Sequence, residues 1–307
     1  MLNHSVQSDR DLLGARFRDA EPFRHIVIDD FFSSDFCADL LDDFPPFARG
    51  NARNEDGGVG LKSTLEKIRS ISPAYTQLDD LIQTREFLDV IGKITGIENL
   101  LYDPWYFGGG THENRTGQDL DPHIDFNRHP VERWHRRLNL IIYLNREWDE
   151  SWGGCLELHS DPRATDDRVK LVAPMYNRAV IFETTELSWH GFSRISLPDD
   201  KQSLSRKSIA LYFYTTDRPQ HELADTHSTI YVERPLPDRF KAGLTLTGAD
   251  VQELSNLLNR RDQHNQRLYR ETIALGKQLE QTQAALHSGF LGRLHHFARR
   301  VLARMQR

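Results

Sequence analysis

Short strand-like segments separated by turn residues occupy the middle of the chain, from about residue 99 to residue 217. Each segment is a short strand-like run, and turns that contain mainly glycine, proline and aspartate separate the segments. The segments are 101–107, 137–145, 155–160, 170–175, 178–184 and 208–215. Because no long helix is indicated between them, they predict a mainly β fold with an antiparallel barrel or jelly-roll core.

Strand and helix patterns precede this region. The predicted elements are a strand at 23–32, a helix at 33–44 with Ser34 as its N-cap, a loop at 45–60 and a helical segment at 74–95. The first twenty residues are polar, and we expect them to be loosely held. Residues 1–98 are therefore predicted to form a lead-in of strand and flanking helices that packs on a core at 99–217.

Proline content separates a linker from a helical tail in the last third of the chain. Residues 218–246 contain three prolines and are predicted to form an extended linker. Residues 247–307 contain no proline, and their apolar residues recur at helical spacing, which predicts a long helix or a helix pair. The heptad pattern over 268–286 is typical of a coiled coil, so the tail is a candidate for self-association into a homo-oligomer.

The end of this tail is strongly basic. Residues 290–307 contain five arginines and no acidic residue, and Phe290, Leu294, Phe297 and Val301 recur at helical spacing. A basic amphipathic helix of this kind suits an anionic membrane surface or the groove of a partner protein. A helix packed on its own domain or on another subunit would show the same apolar stripe, so both interpretations stay open.

The composition limits the classes of function. The formal net charge of −6 provides no general reason to expect nucleic-acid binding. Cys37 and Cys155 form no metal-binding or redox pattern, so we expect a reducing compartment and a cytoplasmic protein. The first residues lack the basic and apolar runs of a signal peptide, and no uninterrupted apolar run approaches the roughly 18 residues of a membrane span. Any membrane contact is therefore expected to be peripheral.

A histidine two residues before an aspartate occurs twice, as His123-Ile-Asp125 and as His159-Ser-Asp161. On a strand, side chains two residues apart point to the same face, so either pair could present an imidazole and a carboxylate together. Because the chain contains 14 histidines, chance copies are expected, and an isolated copy is usually an ordinary polar pair. The second copy runs directly into Pro162, so its aspartate leaves the strand. We therefore expect the first copy to be the functional one.

Two further residues could complete a site around His123 and Asp125. His190 follows the predicted strand at 178–184, in a loop rich in serine, tryptophan and glycine. Two histidines and one carboxylate would leave three positions open on Fe(II). Arg206 stands just before a strand, where its guanidinium could hold a carboxylate through paired hydrogen bonds. A solvated basic residue at the start of a strand is the alternative for Arg206.

Four motifs together resemble the superfamily of Fe(II)- and 2-oxoglutarate-dependent dioxygenases. They are His123-x-Asp125, "IIYLNREWDESWGGCLEL" at 141–158, "WHGFSRI" at 189–195 and "RKSIALYFY" at 206–214. The branch that they resemble is that of the prolyl 4-hydroxylases, and the resemblance covers about residues 23–217. Its most specific part is "YLN" followed by a tryptophan and a pair of glycines. The resemblance implies that the β core is a double-stranded β-helix, the jelly roll of that superfamily.

The same resemblance implies roles for individual residues. It implies that His123, Asp125 and His190 bind iron, that Arg206 and Tyr143 bind the distal carboxylate of 2-oxoglutarate, and that Tyr106 lies near this cosubstrate. Core packing is the alternative for both tyrosines. The implied reaction is hydroxylation of a substrate coupled to oxidative decarboxylation of 2-oxoglutarate to succinate and CO2, with ascorbate as a candidate reductant. Related halogenases lack the carboxylate ligand, so Asp125 favours hydroxylation.

The substrate stays open at this level. The loops expected around the mouth of the barrel are 45–62, 108–122, 126–136 and 185–206. Residues 126–137 carry four arginines beside Trp134, which would suit an acidic or glycan-like substrate, although a solvated loop has the same composition. Small-molecule, glycan and peptidyl substrates all fit. Two alternatives to the hydroxylase are a zinc hydrolase with the same ligands and a non-catalytic metal- or ligand-binding scaffold whose tail recruits a partner or a membrane surface.

Overall fold

The computed structural model divides the chain into two units, residues 1–234 and residues 235–307. The described residues are 1–53, 59–234, 236–237 and 239–288. The basic segment predicted at 290–307 lies outside them. The first unit extends past residue 217, where we expected the core to end and a linker to begin. It does so because a strand at Ile230–Tyr231 pairs with the core.

Two antiparallel sheets make up the first unit. The strands are β1 (His25–Ile28), β2 (Asn51–Arg53), β3 (Val59–Leu65), β4 (Leu101–Tyr102), β5 (Gly110–Asn114), β6 (Leu120–Ile124), β7 (His135–Tyr143), β8 (Leu156–His159), β9 (Val169–Val172), β10 (Arg178–Glu183), β11 (Trp189–Phe192), β12 (Arg206–Thr215) and β13 (Ile230–Tyr231). The larger sheet has the order β1-β10-β7-β12-β5-β3-β2, and β4 also pairs with β12. The smaller sheet has the order β13-β6-β11-β8-β9. This interleaving of distant strands confirms the predicted jelly-roll core.

The two sheets share an inner core. Its buried side chains come from the larger sheet, as with Tyr143 and Phe182, and from the smaller sheet, as with Leu156 and Leu158. Alternation along each strand determines which side chains enter the space between the sheets. A residue that faces this space is therefore flanked by residues that face the outer side of its sheet.

Helices cover the outer face of the larger sheet. They are α1 (His4–Ser8), α2 (Arg10–Arg18), α3 (Ser34–Asp42), α4 (Pro73–Ile82) and α5 (Arg85–Thr95). Their apolar side chains form one core with Ile209, Leu211 and Phe213 of β12. Burial of this outer face leaves the alternate residues of β12 to face inward, toward the smaller sheet.

The structure corrects several local expectations in the N-terminal part. The first twenty residues form α1 and α2, and they are held because Val6 and Phe17 are buried in the main core. The segment predicted as one helix at 74–95 is two, since the Thr84 hydroxyl accepts a hydrogen bond from the Phe87 amide and caps a second helix. Residues 45–60 contain β2 and the start of β3, and the N-cap of α3 is Ser33 rather than Ser34.

The second unit contains one long helix, α6 (Gly248–Ser288). This helix confirms the predicted helical tail over the residues that are described. Among those residues, no helix is both long enough and apolar enough to cross a membrane. Self-association through the heptads at 268–286 stays a prediction.

Candidate metal centre

The three side chains suggested as metal ligands meet in one cavity. His123 lies on β6, Asp125 follows the end of that strand, and His190 lies on the neighbouring β11, directly opposite His123. One ligand atom of each residue lies within 4.8 Å of the others. The expectation that His190 sits in a loop is wrong. The segment around it pairs with both β6 and β8 and becomes a strand of the smaller sheet.

Both imidazoles are oriented by the backbone. The Nδ1 atom of His123 lies 2.9 Å from the carbonyl oxygen of Asp121, and that of His190 lies 2.9 Å from the carbonyl oxygen of Ser188. A proton on Nδ1 that is donated to a carbonyl leaves the lone pair on Nε2, which is the arrangement of a histidine ligand. Burial, followed by the charge of His190, lowers the pKa of His123 to about 3, and burial also lowers the pKa of His190. Both rings are therefore neutral at neutral pH and can bind a cation.

The carboxylate of Asp125 is held by two residues of β7. Its Oδ2 atom accepts a hydrogen bond of 2.8 Å from the Asn139 amide and lies 3.1 Å from the Arg136 guanidinium. Burial opposes ionisation of Asp125, but the charge of Arg136, together with the two histidines and the hydrogen bond from Asn139, outweighs burial and holds the pKa of Asp125 well below its ordinary value. Asp125 is therefore an anion with a defined orientation.

Arg136 is a part of the site that the sequence did not reveal. We expected it in a substrate-binding loop, whereas its side chain is only 1% exposed. Its guanidinium donates to the Asn139 amide oxygen at 2.7 Å and lies 3.6 Å from the centre of the Tyr212 ring. The sequence contained one indication of this. Arg136 lies two residues before the alternating apolar residues of β7, and this spacing places Arg136 on the strand.

Removal of the Asn139 amide should weaken metal binding. Asn139→Leu keeps the approximate volume but leaves Asp125 without its neutral donor, and loss of such an orienting partner typically lowers metal affinity by about 10- to 100-fold. Titration with Mn(II), followed by the electron-paramagnetic resonance of the free ion, measures this. Asn145→Leu is the matched control, because Asn145 is also buried but bonds to Pro174 and Lys207 instead. Equal Mn(II) affinity in the two variants would contradict the role given to Asn139.

A second charged group, Arg206, faces the same cavity from the first residue of β12. Its Nε atom donates to the carbonyl oxygen of Gly154 at 2.7 Å, and its Nη2 atom donates to the hydroxyl of Tyr143 at 3.1 Å. The guanidinium also lies 4.3 Å from the centre of the Phe192 ring. These contacts fix the guanidinium plane, and neither hydrogen bond occupies Nη1. The alternative of a solvated Arg206 does not apply, because the residue is buried.

The cavity has a volume of about 250 Å³ and lies between the two sheets. It is lined by the three candidate metal ligands, by Arg206, and by residues that the sequence did not single out: Lys62, His112, Asn114, Asn139, Thr229 and Tyr231. The size and the polar lining suit a small dianion together with part of a larger substrate.

The sequence of the core matches a known family. The family model described as "2OG-Fe(II) oxygenase superfamily" matches residues 109–214, from the start of β5 to the end of β12. This region is a 2OG-Fe(II) oxygenase domain. The match includes the candidate metal ligands and Arg206.

The oxygenase domain has curated relatives. The prolyl 3-hydroxylase OGFOD1 of Mus musculus is 26% identical over 238 residues, which are 71% of this chain and 36% of that protein. The protein of the same name from Xenopus laevis is 25% identical over 224 residues, 67% of this chain and 38% of that protein. The chain therefore spans little more than a third of the length of the curated relatives it matches.

The chain is also similar to solved structures of prolyl hydroxylases. A prolyl 4-hydroxylase from Phytophthora capsici is 17% identical, with a TM-score of 0.47, and the match covers 97% of this chain and 94% of that one. A prolyl hydroxylase from Trichoplax adhaerens, in complex with a peptide fragment of hypoxia inducible factor, is 15% identical with a TM-score of 0.47, and the match covers 68% of this chain and 92% of that one.

The tryptophan and the glycine pair of the oxygenase domain shape the support of Arg206. The Trp148 indole donates to the carbonyl oxygen of Gly153 at 2.9 Å, and Gly154 presents its own carbonyl to Arg206. Gly154 has a φ of 70°, and a Cβ atom there would lie 3.0 Å from the Trp148 ring. Only glycine fits this conformation and this close approach without strain. The motif therefore acts on the site through Arg206.

The two tyrosines predicted near the cosubstrate have different positions. The Tyr143 hydroxyl bonds to Arg206, but Tyr143 is not among the residues that line the cavity, so its direct contact with a carboxylate stays a prediction. Tyr106 lies elsewhere. Its hydroxyl donates to the buried carboxylate of Asp79 at 2.7 Å, beside Tyr102, in the helical layer. The structure therefore supports the core-packing alternative for Tyr106.

The second His-x-Asp copy lies outside the cavity of the oxygenase domain. The Nδ1 atom of His159 lies 2.6 Å from a carboxylate oxygen of Asp167, while its neighbour Leu158 points into the inner core. Burial opposes protonation of His159, but the hydrogen bonds and the charges of Glu157 and Asp167 outweigh burial and raise the pKa of His159. A histidine held between two carboxylates is suited to an ion pair rather than to the cavity site.

Residues 218–234, predicted as linker, complete a wall of the cavity. Strand β13 pairs with β6, and the Val232 amide donates to the carbonyl oxygen of Pro122 at 2.7 Å. This pairing stacks the Tyr231 ring on the His123 imidazole, with 5.1 Å between the ring centres. The wall lies outside the part that matches the oxygenase family, and it covers one side of the candidate metal centre.

His112 should make the protein less stable in acid. Burial, followed by the charge of Lys62, lowers the pKa of His112 to about 3, whereas in the unfolded chain it is roughly 6.5. Between these two pKa values the unfolded state binds a proton that the folded state does not bind. His112 therefore makes its whole contribution to the free energy of unfolding above about pH 6.5, and this contribution is lost as the pH falls toward 3. His112→Gln should therefore show a shallower loss of stability than wild type in urea unfolding between pH 6.5 and pH 4. Parallel curves for the two proteins would contradict this.

Proposed function

We propose that the chain is an Fe(II)- and 2-oxoglutarate-dependent oxygenase that hydroxylates a prolyl residue of a polypeptide. The observation that carries the proposal is a single cavity that contains two neutral histidines, one carboxylate and a fixed guanidinium. Two histidines and a carboxylate are the donor set of non-haem Fe(II) oxygenases, and they leave positions for a bidentate cosubstrate and dioxygen. The guanidinium suits the distal carboxylate of 2-oxoglutarate.

The choice of a prolyl substrate is supported by the curated relatives, which are named prolyl 3-hydroxylases. The similarity to the first of them extends over 71% of this chain, and a stretch of that length must include the candidate metal ligands and Arg206. Their names favour C3 as the position hydroxylated. Because this chain matches little more than a third of each relative, its substrate and its product are both part of the proposal.

The donor set fits Fe(II). His123, Asp125 and His190 would hold the ion, and when bound it would activate dioxygen for hydroxylation coupled to conversion of 2-oxoglutarate into succinate and CO2. The role of the protein is to position the metal ligands and the reactants and to exclude water. The carbonyl groups of Asp121 and Ser188 keep both Nε2 atoms available, and Asn139 keeps one oxygen of Asp125 oriented.

Other residues of the chain orient the cosubstrate and limit access of water. Arg206 would bind the distal carboxylate and so set the distance of the 2-oxo acid from the metal. Tyr231 and Phe126 line the cavity and would exclude water on the side of the candidate metal centre. The proposed reaction therefore depends both on the candidate metal ligands and on Arg206.

Succinate release tests the proposal. Wild-type protein with Fe(II), 2-oxoglutarate, ascorbate and a panel of proline-containing peptides should form succinate, and one peptide should gain one oxygen atom on a proline by mass spectrometry. Amino-acid analysis then separates 3-hydroxyproline from 4-hydroxyproline. If no succinate forms above the level of His123→Ala, the proposal is wrong. Cleavage of a peptide by water, independent of 2-oxoglutarate, would favour a zinc hydrolase, and binding of 2-oxoglutarate without turnover would favour a non-catalytic scaffold.

The contacts predicted for the tail have a separate basis. A cytoplasmic location, peripheral contact of 290–307 with an anionic membrane or a partner protein, and a homo-oligomer through α6 are proposals from the sequence pattern. They are independent of the cavity, so vesicle sedimentation with and without residues 289–307 tests membrane binding without affecting the oxygenase proposal.

A further inference from the structure

Three polar residues form a row across three neighbouring strands of the larger sheet. Lys62 on β3 is paired with Asn114 on β5, and Asn114 is paired with Arg206 on β12. Paired residues of adjacent strands project from the same face, and adjacent strands are about 4.8 Å apart. All three residues line the cavity. Their side chains can therefore converge on one ligand.

Two members of this row have hydrogen-bonding capacity that the described residues do not use. Asn114 is 2% exposed, and its amide nitrogen makes no hydrogen bond to any residue whose side chain is described. Lys62 is half-buried in the cavity, and among those same side chains no carboxylate lies within 4 Å of its ammonium group. A buried donor without a partner is costly, and its usual explanation is a ligand or water that completes it.

The charged residues of this row are both positive. Arg206 and Lys62 are both cationic, and burial followed by the charge of Arg206 lowers the pKa of Lys62. His112 lies two residues before Asn114 on β5 and faces the same side of the sheet. It is neutral near pH 7 because its pKa is lowered. Among the described residues, three carboxylates are near the row and each has an interaction of its own: Asp125 lies against Arg136, Glu113 accepts a hydrogen bond from Ser205, and Asp119, which also lines the cavity, is not without a partner. An anion with several acceptor oxygens could accept hydrogen bonds from all three residues of the row and offset the positive charge of two of them.

We propose that Lys62 and Asn114 extend the Arg206 position into a three-residue site for a carboxylate. This inference rests on the proposed function, in which Arg206 holds the distal carboxylate of 2-oxoglutarate. A carboxylate accepts from all three donor groups and offsets the charge of the two cations. It can come from the cosubstrate itself or from an acidic side chain of the polypeptide substrate, and the two sources give different results below.

Equilibrium binding without turnover tests the inference. Isothermal titration of the Mn(II)-loaded, anaerobic protein with 2-oxoglutarate and with 2-oxobutyrate, which lacks the distal carboxylate, measures the contribution of that group. Lys62→Met removes the ammonium group, Lys62→Arg keeps a cation, and Asn114→Leu removes the amide. Lys67→Met is the matched control, because Lys67 is exposed and does not line the cavity. A second titration uses acetyl-glutamate amide on protein saturated with Mn(II) and 2-oxoglutarate.

If the carboxylate belongs to the cosubstrate, Lys62→Met and Asn114→Leu should each weaken binding of 2-oxoglutarate by about tenfold, as expected for one charge-assisted hydrogen bond. Binding of 2-oxobutyrate should not change, and Lys62→Arg should restore most of the loss. If the carboxylate belongs to the substrate, 2-oxoglutarate binding should be unchanged while acetyl-glutamate amide binds wild type and not Lys62→Met.

Wild-type affinities for both probes in Lys62→Met and Asn114→Leu would overturn the inference and leave the proposed function intact. Wild-type protein that does not prefer 2-oxoglutarate over 2-oxobutyrate would contradict the proposed function itself. The melting temperature of each variant shows whether a lost affinity reflects unfolding. Lys62→Met removes a partly buried charge and is expected to fold.

Discussion

His123→Ala should abolish metal-dependent turnover, whereas His159→Ala should keep it. Loss of a partner that merely orients a ligand costs about 10- to 100-fold in metal affinity, so loss of the ligand itself should cost at least about 100-fold. The two histidines occupy the same position in two copies of one motif, and only His123 lies in the cavity with Asp125 and His190. Mn(II) affinity and the rate of succinate formation are the measurements.

The control separates the metal site from general stability. His159 is buried between Glu157 and Asp167, so its removal should lower the melting temperature while leaving Mn(II) affinity within about threefold of wild type. Two results would contradict the assignment. One is an equal loss of Mn(II) affinity in both variants, and the other is normal affinity in His123→Ala.

Arg206→Leu should weaken binding of 2-oxoglutarate without weakening binding of the metal. Truncation of one partner of a buried charge pair costs about 2 to 5 kcal/mol, so the dissociation constant for 2-oxoglutarate should rise by at least roughly 30-fold. The affinity for 2-oxobutyrate should change little, because that acid lacks the distal carboxylate. Titration calorimetry of the Mn(II)-loaded protein with both acids measures the difference.

Arg194→Leu is the matched control for Arg206→Leu. Arg194 is exposed and donates only a long hydrogen bond of 3.3 Å to the carbonyl of Gly117, so its loss should leave both affinities unchanged. Arg206→Leu also leaves Tyr143 and the Gly154 carbonyl without their donor, so its melting temperature must be measured. A folded Arg206→Leu that binds 2-oxoglutarate normally would exclude Arg206 as the anchor of the distal carboxylate.

Residues brought together by one strand or one motif could be predicted from the sequence. His123 and Asp125 are two apart on and just after β6, so local geometry already placed them on one side. The resemblance of four motifs added His190, Arg206 and Tyr143 as further candidates. The structure supplies the distances between them and shows that the tryptophan and glycine motif acts by holding the Arg206 guanidinium.

Residues that depend on pairing between distant strands could not be predicted in this way. Asn114 and Lys62 lie in segments with the glycine and asparagine content of loops, and they become a row only because β3 pairs with β5 and β5 with β12. Tyr231 lies in a segment predicted as linker, and its contact with His123 exists because β13 adds to the edge of the smaller sheet. Tyr106 was placed near the cosubstrate from its order in the chain, but its hydroxyl bonds to Asp79.

The sequence by itself predicted the fold class and the candidate ligand pair His123 and Asp125, and the resemblance of its motifs supplied the candidates for the third ligand and for the arginine that would anchor 2-oxoglutarate. Those features depend on alternation along a strand and on the order of short motifs, both of which are local properties. Only the tertiary structure decided how Asp125 is kept ionised, which wall covers the candidate metal centre, and which donors lie beside Arg206. Those features depend on strand register, which brings residues far apart in the chain to within hydrogen-bonding distance and places them in a buried environment where charge and orientation matter most.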